Sequence, residues 1–282
     1  MRQGYRVSRR ELLQTAMVAG AAGLGRGLQA EASTAKPFVD THVYLGHWPH
    51  AYLGVSDAPA LIVLLRQHKI TQAFAGSFDG LFHKDIAGVN ERLAEECASA
   101  GDAFLVPFGT INPTLPDWED DVRRCHQQHR MRGIRLHPNY HGYALDDSRF
   151  GRLLELAVER GLLVQLVAWL EDTRHAWLTP KVSRLDVAQL PQVLAKVRGV
   201  RMVVSGAVGI VDGTTLDGLL KSSDVYFDQA GPDSKKASRR PLDHWDPNRL
   251  VFGSGAPLRT VAEAVSEAET SSLRGVDVLR PD

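Results

Sequence analysis

Cysteine is nearly absent from the sequence, with Cys97 and Cys125 the only two among 282 residues. Two thiols build neither a disulfide scaffold nor a cysteine-based zinc site, so both are expected as buried side chains. Net charge is absent as well. Lys and Arg number 33 and so do Asp and Glu, which leaves no global field to hold a nucleic acid or an anionic membrane. No apolar run reaches the roughly 20 residues of a membrane span, so no permanent membrane anchor is expected. The G-x-S-x-G nucleophile elbow is missing. Leu45-Gly46-His47-Trp48-Pro49-His50, the first strand-to-helix turn, lacks a glycine-rich phosphate cradle, which removes the most specific support for a dinucleotide fold.

What is present begins with an address. Ser8-Arg9-Arg10-Glu11-Leu12-Leu13 leads into a weakly apolar stretch rich in Ala and Gly, and Ala30-Glu31-Ala32 supplies a small-residue cleavage site. In that order these features resemble a twin-arginine signal peptide over residues 1–32. The implied partner is the twin-arginine export machinery. The implied location is periplasmic or extracellular, with residues 33–282 as the mature domain.

From Pro37 onward, short β-branched or apolar runs alternate with longer amphipathic segments, the pattern of consecutive βα units. Strands are expected at Phe38–Leu45, Ile70–Gly76, Phe104–Ile111, Gly133–Leu136, Leu162–Ala168, Arg201–Val204, Val225–Phe227 and Leu250–Gly253. Helices are expected at Ala58–His68, Val89–Ala100, Trp118–Gln128, Ser148–Arg160, Asp186–Val197, Thr215–Lys221 and Val261–Thr270, with a weak one at Ser234–Leu242. No linker divides them. Eight units in this length favour a closed α/β (β/α)8 TIM barrel of one domain over an open sheet.

In such a barrel the chemistry sits at the C-terminal ends of the strands. On strand one Asp40, His42 and Tyr44 alternate, so they are expected to share the inward side, where a buried His and Asp need hydrogen bonds or a metal. Strand four ends in Arg135-Leu136-His137, with Tyr140, His141 and Tyr143 on the rim beyond it; the two histidines are read as loop residues sharing no helix face. After strand five, Glu171, Asp172, Arg174 and His175 supply acid, base and anion-binding groups within five positions. His47, Trp48, His50 and Tyr52 make either a substrate mouth or a lid. Ser205, Asp228 and Ser254 complete the ring of polar strand ends.

Four segments, Phe38-Val39-Asp40-Thr41-His42, Gly133-Ile134-Arg135-Leu136-His137-Pro138, Asp224-Val225-Tyr226-Phe227-Asp228 and Arg249-Leu250-Val251-Phe252-Gly253-Ser254-Gly255-Ala256-Pro257, resemble the amidohydrolase-related metal-dependent hydrolases. The resemblance implies a (β/α)8 barrel hydrolysing C–N or C–O bonds, lactones included, or decarboxylating aromatic acids with zinc or a similar divalent ion. It further implies a D-x-H-x-H ligand run on strand one, a histidine after each of strands five and six, and an aspartate after strand eight. At those positions this chain has Tyr44 for the second histidine, Leu166 to Trp169, Val203 to Ala207 without a histidine, and Gly255. A catalytic divalent ion wants about three protein ligands and an open water position.

Three readings follow for a small, anionic substrate such as a lactone, ester, amide or aromatic acid. In the first, His137 or His42 acts as general acid or base without metal, with Asp40 beside them, Tyr44 or Tyr140 as donor, His141 and Glu171 at the mouth, and Arg135 or Arg174 holding the anion. In the second, the barrel binds a small molecule without turnover. In the third, one zinc-like ion sits at a relocated site on Asp40, His42 and His137, with Glu171 or His175 as a further ligand.

Overall fold

A computed structural model describes residues 38–170, 182–208, 211–221, 224–228 and 245–270. The chain builds β1 (Phe38–Leu45), α1 (Ala58–Gln67), β2 (Ile70–Ser77), α2 (Asp79–Phe82), α3 (Ile86–Ser99), β3 (Leu105–Thr110), α4 (Trp118–Gln127) and β4 (Gly133–Leu136). It continues through α5 (Pro138–His141), α6 (Ser148–Glu159), β5 (Leu163–Val167), α7 (Leu190–Lys196), β6 (Arg201–Ser205), α8 (Gly213–Leu220), β7 (Asp224–Asp228), β8 (Leu250–Val251) and α9 (Val261–Thr270). All eight strands are parallel and lie in sequence order, each paired with the next. The last joins the first: Thr41 N–H donates to the Phe252 carbonyl at 2.9 Å, Gly255 N–H to His42 at 2.9 Å and Tyr44 N–H to Ala256 at 2.8 Å. This is the expected single (β/α)8 barrel.

Local chemistry sets the helix limits. Asp57 accepts from Ala60 N–H and Pro59 stands in the first turn of α1, where a missing N–H goes unmissed. Asp147 caps α6, and Gly161 beyond its end takes the left-handed φ of +63° that a side chain disfavours. Asp85 starts α3 at Ile86, three residues before the expected Val89, by accepting from Gly88 N–H. Helix α7 is shorter than expected and has Pro191 in its first turn. The weak helix expected over Ser234–Leu242 lies outside the described residues.

Period-two alternation sorts each strand into an outward and an inward row. Outward Ile134, Leu136, Val164 and Leu166 share a buried cluster with Phe150, Leu153, Leu154 and Ala157 of α6. Each such fully buried side chain contributes about 1.5–3 kcal/mol relative to exposure. Inward, Phe74, Val106, Phe108, Leu163, Val203 and Val251 form a separate cluster, with the Phe74 and Phe108 rings stacked at 4.8 Å. That plug makes the barrel a filled core rather than a pore. Cys97 and Cys125 are buried free thiols, each pushed up to about 12 by burial. Among the described residues no helix is long and apolar enough to cross a membrane.

Candidate functional site

Within the barrel, Arg135 of β4 is fully buried. A guanidinium so placed costs heavily unless its donors are used. Here Nε donates to Gln165 Oε1 at 2.8 Å, Nη1 to the Val43 carbonyl at 2.7 Å and Nη2 to the Phe74 carbonyl at 2.8 Å. Gln165 in turn donates to the Thr41 carbonyl and Ser205 Oγ, both at 2.8 Å. Space for this arrangement comes from Gly76, since a Cβ there would lie 2.5 Å from Arg135 Nη1. The expected role of Arg135 in holding an anionic substrate does not match this placement, because its donors are turned to the barrel's own carbonyls. It ties β1, β2 and β5 together and sits 4.6 Å from the centre of the Tyr44 ring.

Tyr44, with Arg135 on its ring, holds two histidines. Its hydroxyl lies 3.2 Å from His42 Nε2 and 2.8 Å from His137 Nε2. On its other side His42 presents Nδ1 to Asp228 Oδ2 at 3.4 Å, while Asp228 Oδ1 accepts from Gly206 N–H at 2.9 Å. Burial alone would raise the Asp228 carboxyl, but attraction to His42 and hydrogen bonds from Ser205 and Gly206 hold it below the usual carboxylate range. A carboxylate facing Nδ1 fixes the proton there, because a bare nitrogen lone pair would be repelled. His42 Nε2 then accepts from the Tyr44 hydroxyl, and that oxygen accepts from His137 Nε2–H. His137 Nδ1 is left as a buried lone pair with no hydrogen-bond partner among the described residues. Strands one, four and seven thus supply one chain, Asp228–His42–Tyr44–His137.

Both imidazoles are neutral near pH 7. Burial lowers His42, against the pull of Asp228, and lowers His137 well below the usual histidine range, aided by the nearby Arg135 charge. The Tyr44 hydroxyl is raised, again by burial, with Arg135 opposing. Asp40 does not share the hydroxyl cluster. Its Oδ1 accepts from the backbone N–H groups of His42 at 3.0 Å and Ser254 at 2.9 Å, across the closing seam, and burial raises it to about 6.

Beyond His137 the chain does not continue as a loop. Pro138–His141 is a helical turn, so His141 N–H donates to the His137 carbonyl at 3.0 Å and the two rings sit 6.0 Å apart on one face. This corrects the reading of the two histidines as sharing no helix face: proline, with φ preset and no N–H to lose, starts a helix readily straight after a strand. His141 Nε2 meets the Gly80 carbonyl at 2.9 Å, and the Tyr140 ring stands edge-on to His137 at 6.3 Å. Over the site lies an apolar cover of Trp48, Phe78, Leu81 and Leu170, with Phe78 stacked on Tyr44 at 4.7 Å. Tyr52, by contrast, is 90% exposed. Glu171, Asp172, Arg174 and His175 lie outside the described residues.

Among the described residues no group of three or more His, Cys, Asp or Glu is placed to hold a metal ion. The Tyr44 hydroxyl stands at both Nε2 atoms, and Ala168, Gly206 and Gly255 offer no side-chain ligand. The described donor set therefore does not fit a resident divalent ion. Sequence reasoning missed Gln165 altogether and left Asp228 as one polar strand end among many. The available signals were a single amide inside Leu163-Val164-Gln165-Leu166-Val167, and an aspartate closing an inward row.

A family model described as amidohydrolase, Amidohydro_2, matches residues 39–274. No curated protein sequence matches the chain. Among solved structures it is similar to the 5-carboxyvanillate decarboxylase of Sphingomonas paucimobilis, with 12% identity over 87% of this chain and 96% of that one and a TM-score of 0.61. A 2,6-dihydroxybenzoate decarboxylase from Rhizobium gives 12% identity, 87% and 95% coverage and a TM-score of 0.64. A dihydroxybenzoic acid decarboxylase from Polaromonas sp. JS666, solved with manganese and the inhibitor 2-nitroresorcinol, gives 13% identity, 86% and 93% coverage and a TM-score of 0.65. At these identities the likeness is one of fold.

Proposed function

The chain belongs to the Amidohydro_2 amidohydrolase family, and from that premise we propose that it is an exported hydrolase or lyase acting on a small organic acid or its ester, lactone or amide without a resident metal. A hydroxylated aromatic acid is the first substrate class to try, since three solved barrels of the same fold are named for decarboxylating such acids. One observation carries the reading: the buried chain Asp228–His42–Tyr44–His137, which leaves His137 Nδ1 as an open base at a strand end.

The chemistry follows from that chain. In hydrolysis, His137 Nδ1 takes a proton from water as the water oxygen adds to the carbonyl, and returns it to the leaving group. In decarboxylation of a hydroxybenzoate, it takes the phenolic proton and returns a proton to the ring carbon as carbon dioxide leaves. In either case positive charge on His137 is spread through Tyr44 and His42 toward the Asp228 carboxylate, whose negative charge stabilises it. Tyr140 and His141 flank the base, and Arg174 and Glu171 remain the proposed anion and proton contacts at the mouth. Substrate entry requires the cover of Trp48, Phe78 and Leu81 to move.

A second reading, a barrel that binds the acid without turning it over, is favoured by the enclosure of the site, where Tyr44, His137 and Asp228 have no exposed surface. Carbon dioxide release from 2,6-dihydroxybenzoate and related acids, and hydrolysis of aryl esters and lactones, separate the two. Turnover by chelated wild-type protein, reduced at least about 100-fold in His137→Ala, supports the enzyme. Turnover lost on chelation and restored by manganese overturns the metal-free mechanism, and a raised melting temperature with no turnover supports the binder.

A further inference from the structure

At the opposite end of the barrel from this site lies a cavity of about 370 Å3, lined by His126, Arg130, Arg132, Arg160, Arg201 and the neighbouring Met131, Gly161 and Leu162. Its lining holds four arginines and a histidine and no carboxylate. These basic side chains come from four separate places: His126 from the last turn of α4, Arg130 and Arg132 from the connection into β4, Arg160 from the end of α6, and Arg201 from the first position of β6. Like charges gathered this way repel one another, and folding alone gives no reason to converge them. The chain as a whole is charge-balanced, so the cluster is a local feature.

Part of this charge, at Arg130 and Arg132, has no ion-pair partner among the described residues. Arg160 donates to the Leu156 carbonyl at 3.0 Å and pairs with Glu159 at 3.1 Å across an exposed surface. Its Nε is buried with no hydrogen-bond partner among the described residues. Arg130 and Arg132 are exposed and make no side-chain ion pair among the described residues. Arg130 is held with a φ of +52°, a backbone state that non-glycine residues seldom adopt. The volume lies within the range of small-molecule sites. Guanidinium groups recognise phosphate and carboxylate oxygens in pairs, so several arginines around one cavity suit a compact ligand with more than one negative oxygen.

We propose that this cavity is a binding site for a small multivalent oxyanion of the phosphate type, remote from the barrel mouth and independent of the reaction there. Calorimetric titration of the full mature chain with inorganic pyrophosphate, at constant ionic strength, tests it. Saturable one-to-one binding is expected, weakened at least tenfold in Arg130→Ser/Arg132→Ser, whose exposed side chains leave the fold intact, and unchanged in His137→Ala. Binding that is unsaturable, equal in the double variant, or lost in His137→Ala overturns the proposal. So does binding seen only with an acidic peptide, or only with vesicles containing phosphatidic acid and not with pyrophosphate.

Discussion

Replacing Tyr44 by Phe removes one oxygen atom from the centre of the buried chain and leaves the ring, with its Phe78 and Arg135 contacts, in place. Two buried nitrogens lose their partner: His42 Nε2, 3.2 Å from the hydroxyl, and His137 Nε2, 2.8 Å from it. A buried polar group left unpaired costs about 1–3 kcal/mol. The pair therefore costs about 2–4 kcal/mol once the hydroxyl's own burial is relieved. For a domain of this size that lowers the melting temperature by about 4–16 °C. The same change cuts the path by which charge on His137 reaches Asp228, so turnover falls by about 100-fold or more. Differential scanning calorimetry reads the first effect and steady-state kinetics the second. A Tyr44→Phe protein that melts with the wild type would show that the hydroxyl bridges nothing, and the assignment of the chain would fall with it.

Acidification destabilises the protein. His42 and His137 have folded pKa values below the ordinary histidine value, so as pH falls through about 6.5 the unfolded chain takes up protons the folded one refuses. Asp40, raised to about 6, works the other way: the folded state takes up its proton first as pH falls, adding stability that is lost again as pH rises through about 6. His141, lowered by burial as well, adds to His42 and His137, so three histidines against one carboxyl leave the excess of protons on the unfolded chain and stability falls as pH falls from 6 to 5. Thermal melts across this range check it, and a melting temperature that stays flat or climbs on acidification contradicts it. Gly76→Ala places a Cβ 2.5 Å from Arg135 Nη1, an overpacking expected to cost about 1–3 kcal/mol. Denaturant unfolding measures that loss, and an unchanged midpoint would mean that Arg135 is not wedged against β2.

Much of the barrel is legible in the sequence because period-two runs and capped amphipathic segments are local signals. Asp147 before Ser148 and Gly161 after Arg160 mark α6 without any tertiary information. The candidate site is less legible. His42, Tyr44 and His137 stand out as polar side chains at strand ends, and the fold brings both imidazoles onto the Tyr44 hydroxyl. Arg135 reads as an anion ligand until its position inside the strand is taken seriously. Two residues deeper than His137 on the same inward row, it faces carbonyls exposed by the irregular pairing of β1, whose register shifts between Asp40 and Val43. No local pattern announces such a shift, because it is fixed by strand closure across the whole barrel. The turn at Pro138–His141 is similarly hidden, being shorter than a helical period can reveal.

The protonation pattern of the two histidines tests the buried chain most directly, and it needs no substrate. Nitrogen-15 NMR of selectively labelled histidine, with His42→Gln and His137→Asn for assignment, reports which ring nitrogen holds the proton. A carboxylate at His42 Nδ1 and a shared tyrosine hydroxyl require His42 protonated on Nδ1 and His137 on Nε2, both neutral at pH 7. Either ring titrating near 6.5, or His137 carrying its proton on Nδ1, would contradict the assignment of His137 as the open base.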